Sequence, residues 1–127
     1  MSRYLLDSTF LIDHLRGEPA AVRRFRDMNE SGDESMVTDI TATEVWSGRR
    51  AGLEHVIERF LKYIEYIHAG PETARLAGIW RAEARESGWT LGLPDAVIAA
   101  TAVHQDAAVL SRNVRDFALT PARIETY

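Results

Sequence analysis

The 127-residue chain contains no cysteine. That excludes a disulfide framework, a cysteine-ligated zinc site and a thiol nucleophile together, and it suits a reducing cytosol. Lysine is nearly absent: Lys62 is the only one among 15 basic residues, and the others are arginine. Positive charge is also outweighed, since 19 Asp and Glu leave a net charge of −4. A chain of that sign does not hold nucleic acid through bulk charge, because phosphates need a positive surface. If it acts on nucleic acid, a bound divalent cation is the natural local offset to its carboxylates. No apolar run approaches the roughly 18 residues that span a bilayer. Leu5-Leu6 is followed at once by Asp7, so no signal-peptide core is expected. The expectation is a cytoplasmic protein without a membrane segment. There is no low-complexity tract or fixed-period repeat. The G-x-G-x-x-G and G-K-[ST] signatures are missing, which excludes Rossmann and P-loop nucleotide enzymes.

What remains is ordinary for a globular domain, with 46% apolar and 27% charged residues. A single domain over 1–127 is expected, large enough to bury a core. Tyr4-Leu5-Leu6, Met36-Val37-Thr38 and Val109-Leu110 read as short strands; Tyr63–His68 and Ile124 are weaker candidates. Between them lie helical stretches. One is capped by Ser8 or Thr9 and stops near Gly17. Another opens at Pro19 with Val22, Phe25 and Met28 on one face. A third starts at Thr41 or Thr43. Further ones cover Leu53–Leu61, Pro71 to Ser87-Gly88, and Asp95 to about His104 behind Pro94. Strands alternating with helices predict an α/β fold with a mainly parallel sheet, whose site lies beyond the carboxyl ends of the strands.

Most of the carboxylates sit in a polar loop or in mixed-charge helices, where a solvated face explains them. Asp7, Glu44, Asp95 and Asp116 differ, because each stands at a strand end or near a helix start. Any one of them could be a helix cap or a macrodipole partner. Brought together they would repel unless a cation held them. Oxygen ligands of this kind suit Mg²⁺ or Mn²⁺, with one or two carboxylates, water and substrate phosphate around the ion. His14, His55, His68 and His104 show no ligand spacing and read as surface or core residues. Trp46 and Trp80 read as core or interface, although any of the three tryptophans could stack on a base.

Four blocks carry a family resemblance. They are Tyr4-Leu5-Leu6-Asp7-Ser8-Thr9-Phe10-Leu11-Ile12-Asp13, Ala42-Thr43-Glu44-Val45-Trp46-Ser47-Gly48, Leu93-Pro94-Asp95-Ala96-Val97-Ile98-Ala99-Ala100-Thr101-Ala102 and Leu110-Ser111-Arg112-Asn113-Val114-Arg115-Asp116-Phe117. In order and spacing they resemble the motifs of PIN domains, and among those the VapC toxins of bacterial toxin–antitoxin pairs. The resemblance implies a three-layer α/β/α sandwich and a Mg²⁺- or Mn²⁺-dependent endoribonuclease that uses a metal-activated water. It implies products with 5′-phosphate and 3′-hydroxyl ends. It makes Asp7, Glu44, Asp95 and Asp116 the catalytic set, with Asp7 and Asp95 on the metal. Asn113 stands where some members have an aspartate, so it is a polar neighbour or a rival for the fourth position. Thr9 supports the site, and Asp7-Ser8-Thr9 keeps hydroxyls at both places after the first aspartate. Arg112 and Arg115 are the expected phosphate contacts; Arg49 and Arg50 are as well explained as a solvated helix end. The implied partners are an RNA substrate, a VapB-type antitoxin and a second copy in a homodimer, for which the helices near Leu53–Leu61 and Leu76–Trp80 offer apolar faces. Two alternatives stay open: a PIN-fold module without chemistry, and a phosphoacceptor signalling domain. The latter lacks its acidic pair and its late lysine here.

Overall fold

The computed structural model describes residues 1–49 and 52–127; Arg50 lies outside the described residues. The strands are β1 (Arg3–Leu6), β2 (Glu34–Thr38), β3 (Glu65–Ile67), β4 (Ala108–Leu110) and β5 (Ile124–Glu125). The helices are α1 (Ser8–Leu15), α2 (Pro19–Glu30), α3 (Asp39–Ser47), α4 (Glu54–Lys62), α5 (Pro71–Glu86), α6 (Leu93–His104) and α7 (Val114–Phe117). The sheet runs β3-β2-β1-β4-β5, with all four pairings parallel. From β1 the chain first builds outward to β2 and β3, then crosses back to place β4 on the other side of β1. The switch point between β1 and β4 is where α/β sheets open a crevice.

Side chains alternate across a strand, so one sheet feeds two cores. Leu5, Met36 and Val109 point to one face and pack with Ala77, Trp80, Ile98 and Ala99 of α5 and α6. Tyr4, Leu6, Val37 and Leu110 point to the other and pack with Phe10, Leu11, Met28, Val45 and Ile57 of α1 to α4. This is the expected three-layer α/β/α arrangement. Alanines at 96, 99, 100 and 102 are fully buried and let α6 lie close to the sheet. Leu5, Leu6, Met36, Val37, Val109 and Leu110 are each 0% exposed, as near-continuous apolar runs in a doubly covered parallel sheet must be.

Several boundaries differ from the sequence reading. Helix α3 begins at Asp39, because Thr38 Oγ1 accepts the Thr41 N–H at 3.1 Å and Thr38 is the cap. Helix α1 begins at Ser8 directly behind Asp7, with no side-chain cap bond. Helix α6 begins two residues early, at Leu93, with Pro94 in its first turn. Strand β2 extends back to Glu34 because Glu34 and Ser35 pair with Arg3 and Tyr4, a tertiary contact the apolar run does not reveal. On α2 the inward face is Ala21 and Met28, with Phe25 packed against them, while Val22 is left 36% exposed. The short α7 carries too few residues to show a period. The apolar faces expected to make a dimer are largely used within the subunit: Ile57, Leu61 and Trp80 are buried, and Val56 and Ile79 remain outside.

Candidate active site

Asp7 leaves the carboxyl end of β1 at the switch point, its N–H donating to Leu110 of β4 at 3.0 Å. It is 3% exposed. A buried carboxylate needs donors, and two hydroxyls supply them. Ser111 Oγ donates to Oδ2 at 2.7 Å and Thr9 Oγ1 donates to the same oxygen at 3.1 Å. Thr9 and Ser111 are themselves 3.2 Å apart. Each hydroxyl also accepts a backbone N–H: Arg112 to Thr9 at 3.1 Å and Asn113 to Ser111 at 2.8 Å. Asp7 occupies the cap position of α1 yet makes no cap bond. Its side chain is turned into this hydroxyl cradle, and the capping explanation for it fails.

The other three acids come from three different elements. Glu44 lies in the second turn of α3, Asp95 in the first turn of α6, and Asp116 in α7. Burial raises the Glu44 carboxyl above its ordinary value, and the Asp7 charge raises it further, against a hydrogen bond from Ser8. Asp95 is pushed up to about 6, by burial first and then by the charges of Asp7, Asp116 and Glu44. The charges of all three other acids thus reach Asp95. Asp116 contributes to that field, whereas Asn113 enters through its backbone N–H. Among the described residues, no three Asp, Glu or His side chains close around one point as a ready-made metal cage.

The two arginines of the fourth block part company. Arg112 is bound by Asp13 through Nε at 2.6 Å and Nη2 at 3.1 Å. Asp13 also accepts the Tyr127 hydroxyl at 2.6 Å. Burial pushes the Asp13 carboxyl up, but the bonds from Tyr127 and Arg112 outweigh it and hold the acid below its ordinary value. Tyr127 is pushed up to about 12, by burial and then by its bond to Asp13. Arg112 thus fastens the segment carrying Asn113 and Asp116 to α1. Arg115 is exposed and in no ion pair among the described residues. Sequence reasoning missed Ser111, Asp13 and Tyr127. One signal was available: Asp13 follows Thr9 by four residues and so shares its helix face.

The PIN domain family model matches residues 4–122. The chain belongs to the PIN domain family. Ribonuclease VapC19 of Mycobacterium tuberculosis is 32% identical over 117 residues, 92% of this PIN domain and 94% of that protein. The tRNA(fMet)-specific endonuclease VapC of Salmonella typhimurium is 27% identical over 133 residues, covering 100% of this chain and 99% of its own. Among solved structures, DNA-bound VapBC from Salmonella typhimurium superposes with a TM-score of 0.84 at 26% identity, over 99% of this chain and 98% of that one. The phosphoacceptor alternative has no lysine to use, because Lys62 is exposed at the end of α4 with its ammonium over the Tyr63 ring. The histidines have other surroundings: His14 lies among Phe10, Phe25 and Phe60, His104 bonds Thr73, His68 bonds Asp39, and His55 is exposed on α4. Among the described residues no helix is long and apolar enough to cross a membrane.

Proposed function

We propose that this PIN domain is a Mg²⁺- or Mn²⁺-dependent endoribonuclease and the toxin of a type II toxin–antitoxin pair, acting in the cytoplasm. The observation that carries the reading is the buried Asp7 carboxylate at the β1–β4 switch point, held by Ser111 and Thr9, with the charges of Asp7, Glu44 and Asp116 all felt at Asp95. So much negative charge in one place invites a divalent cation and, through it, a phosphodiester. When bound, such an ion activates a water and neutralises charge building on the phosphate.

The chain's own residues set the stage. Asp7 and Asp95 hold the ion. The Ser111 and Thr9 hydroxyls fix Asp7 through Oδ2, which leaves Oδ1 for the ligand. Glu44 and Asp116 complete the field and hold or orient water. Arg115 meets the RNA backbone. Arg112 holds the fourth block in place against Asp13, with its exposed edge toward solvent. Hydrolysis breaks the bond from phosphorus to the 3′-oxygen and leaves 5′-phosphate and 3′-hydroxyl ends. A VapB-type antitoxin is the protein partner. A cleft of about 540 Å³ between α1, α3 and α4, lined by Ile12, Leu15, Val45, Leu53 and Ile57 with Arg16 and Arg49, offers it a surface. A homodimer remains part of the proposal, through the exposed Val56 and Ile79.

Expression of the lone gene should arrest growth, and co-expression of the antitoxin gene beside it should restore growth. RNA from arrested cells should carry new 5′-phosphate ends. Normal growth with intact RNA at high expression would favour the non-catalytic alternative.

A further inference from the structure

The loop from α5 to α6, which leads into the helix of Asp95, sets a large aromatic side chain in solvent. Trp89 is 62% exposed, whereas Trp80 is buried at 8%. The loop that holds Trp89 is stiff. Gly88, at φ +83°, ends α5: its N–H donates to Arg85 O at 3.0 Å and the Trp89 N–H donates to Ala84 O at 2.8 Å. Leu91 is buried at 3%, and its carbonyl accepts Arg81 Nε at 3.0 Å. At Gly92 the loop touches the site, because a Cβ there would lie 3.8 Å from Asp95 Oδ2. Three residues of chain span at most about 11 Å, which keeps the Trp89 backbone within about 16 Å of the Asp95 carboxylate, a reach of a few nucleotides.

Trp89 also walls a cleft of about 380 Å³, faced by Leu119 and Pro121. Those two residues follow α7, which carries Asp116. Both sides of the cleft are thus continuous with segments that supply acids to the crevice. Leu93 and Val114, two residues before Asp95 and Asp116, are apolar and left 57% and 44% exposed.

Resting on the nuclease reading above, we propose that Trp89 is a stacking platform for an unpaired base of the RNA next to the scissile phosphate. RNA presents unstacked bases in loops and single strands, and every base has a face that an indole can cover. The position after a helix-ending glycine often carries an apolar residue that packs back on the last turn. Leucine would serve that packing, but it would not stack.

The test follows from that difference. The strongest cut made by the wild-type protein in total RNA is mapped. A synthetic RNA spanning it is prepared intact and with single abasic positions around the cut. Trp89→Leu should raise KM about 10-fold with kcat little changed, and Trp89→Phe should recover most of the loss. At one abasic position the wild type should weaken as much as Trp89→Leu does on intact RNA, and Trp89→Leu should weaken no further. Equal KM for Trp89→Leu and wild type, or additive losses at every abasic position, would overturn the proposal. So would an altered mass in light scattering, or lost antitoxin binding with unchanged KM; these would give the indole to a second copy or to the antitoxin. If the wild type cuts no RNA at all, the nuclease reading fails and takes this one with it. Unchanged thermal melting of both variants separates each result from misfolding.

Discussion

Replacing Asp95 by Asn should stabilise the protein when no divalent ion is present. In the folded chain burial and three neighbouring acids raise this carboxyl from 3.8 to about 6. The folded state therefore holds a proton that the unfolded state gives up. The associated stability is fully present below about pH 3.8 and is lost as pH rises through about 6. Two pKa units correspond to about 3 kcal/mol, and partial solvent screening of the half-buried side chain brings this to about 2 kcal/mol. For a chain of this length 1 kcal/mol moves the melting temperature by about 4 °C. Asp95→Asn should thus melt about 8 °C above the wild type at pH 7.5 in EDTA, and the two should converge near pH 4. Excess Mg²⁺ should raise the wild type and leave the variant nearly unmoved, because an ion that binds the folded state stabilises it by mass action. Thermal melting by circular dichroism reads all of this. Equal melting temperatures at pH 7.5 in EDTA, or a variant less stable than the wild type there, would refute the electrostatic argument.

Three further outcomes follow from particular contacts. Ser111→Ala removes the 2.7 Å donor to Asp7; it should cost about 1–2 kcal/mol in denaturant melts and lower kcat more than it raises KM. Asp13→Asn breaks a charged bond to Arg112 inside a side chain only 11% exposed, so it should destabilise by about 2 kcal/mol. Because the folded-state pKa of Asp13 is lowered, that contribution is present above about pH 3.8 and vanishes as acid protonates it, so wild type and Asp13→Asn should converge in melts at low pH. Arg115→Ala should weaken RNA binding and flatten its salt dependence without changing melting temperature, whereas Arg112→Ala should lower the melting temperature as well.

The fold was legible where the chain is most one-sided. Leu5-Leu6 and Val109-Leu110 are apolar without interruption because both faces of their strands are covered, and Pro71 and Pro94 mark helix starts through chemistry that needs no neighbours. Strand β2 was read short and α7 was not read at all, because Glu34 pairs only through β1 and one turn of helix has no period. The candidate acids were legible for a related reason: an aspartate directly after an apolar strand is conspicuous. Their supports were not. Ser111 reaches Asp7 across 104 residues, Arg112 reaches Asp13 across 99 and Tyr127 reaches Asp13 across 114. Such contacts depend on which strand lies beside β1, and local pattern does not state the strand order. The same ignorance hid the partition of the arginines, with Arg112 held by an acid and Arg115 left to solvent.

The central claim is that separated acids share one divalent cation. Calorimetric titration of the purified, metal-stripped protein with Mn²⁺ tests it most directly. The wild type should bind saturably, and Asp7→Asn and Asp95→Asn should weaken binding at least about 10-fold in proteins that remain folded, with RNA cleavage lost in the same two variants. Undiminished Mn²⁺ binding and undiminished cleavage in Asp7→Asn would contradict it.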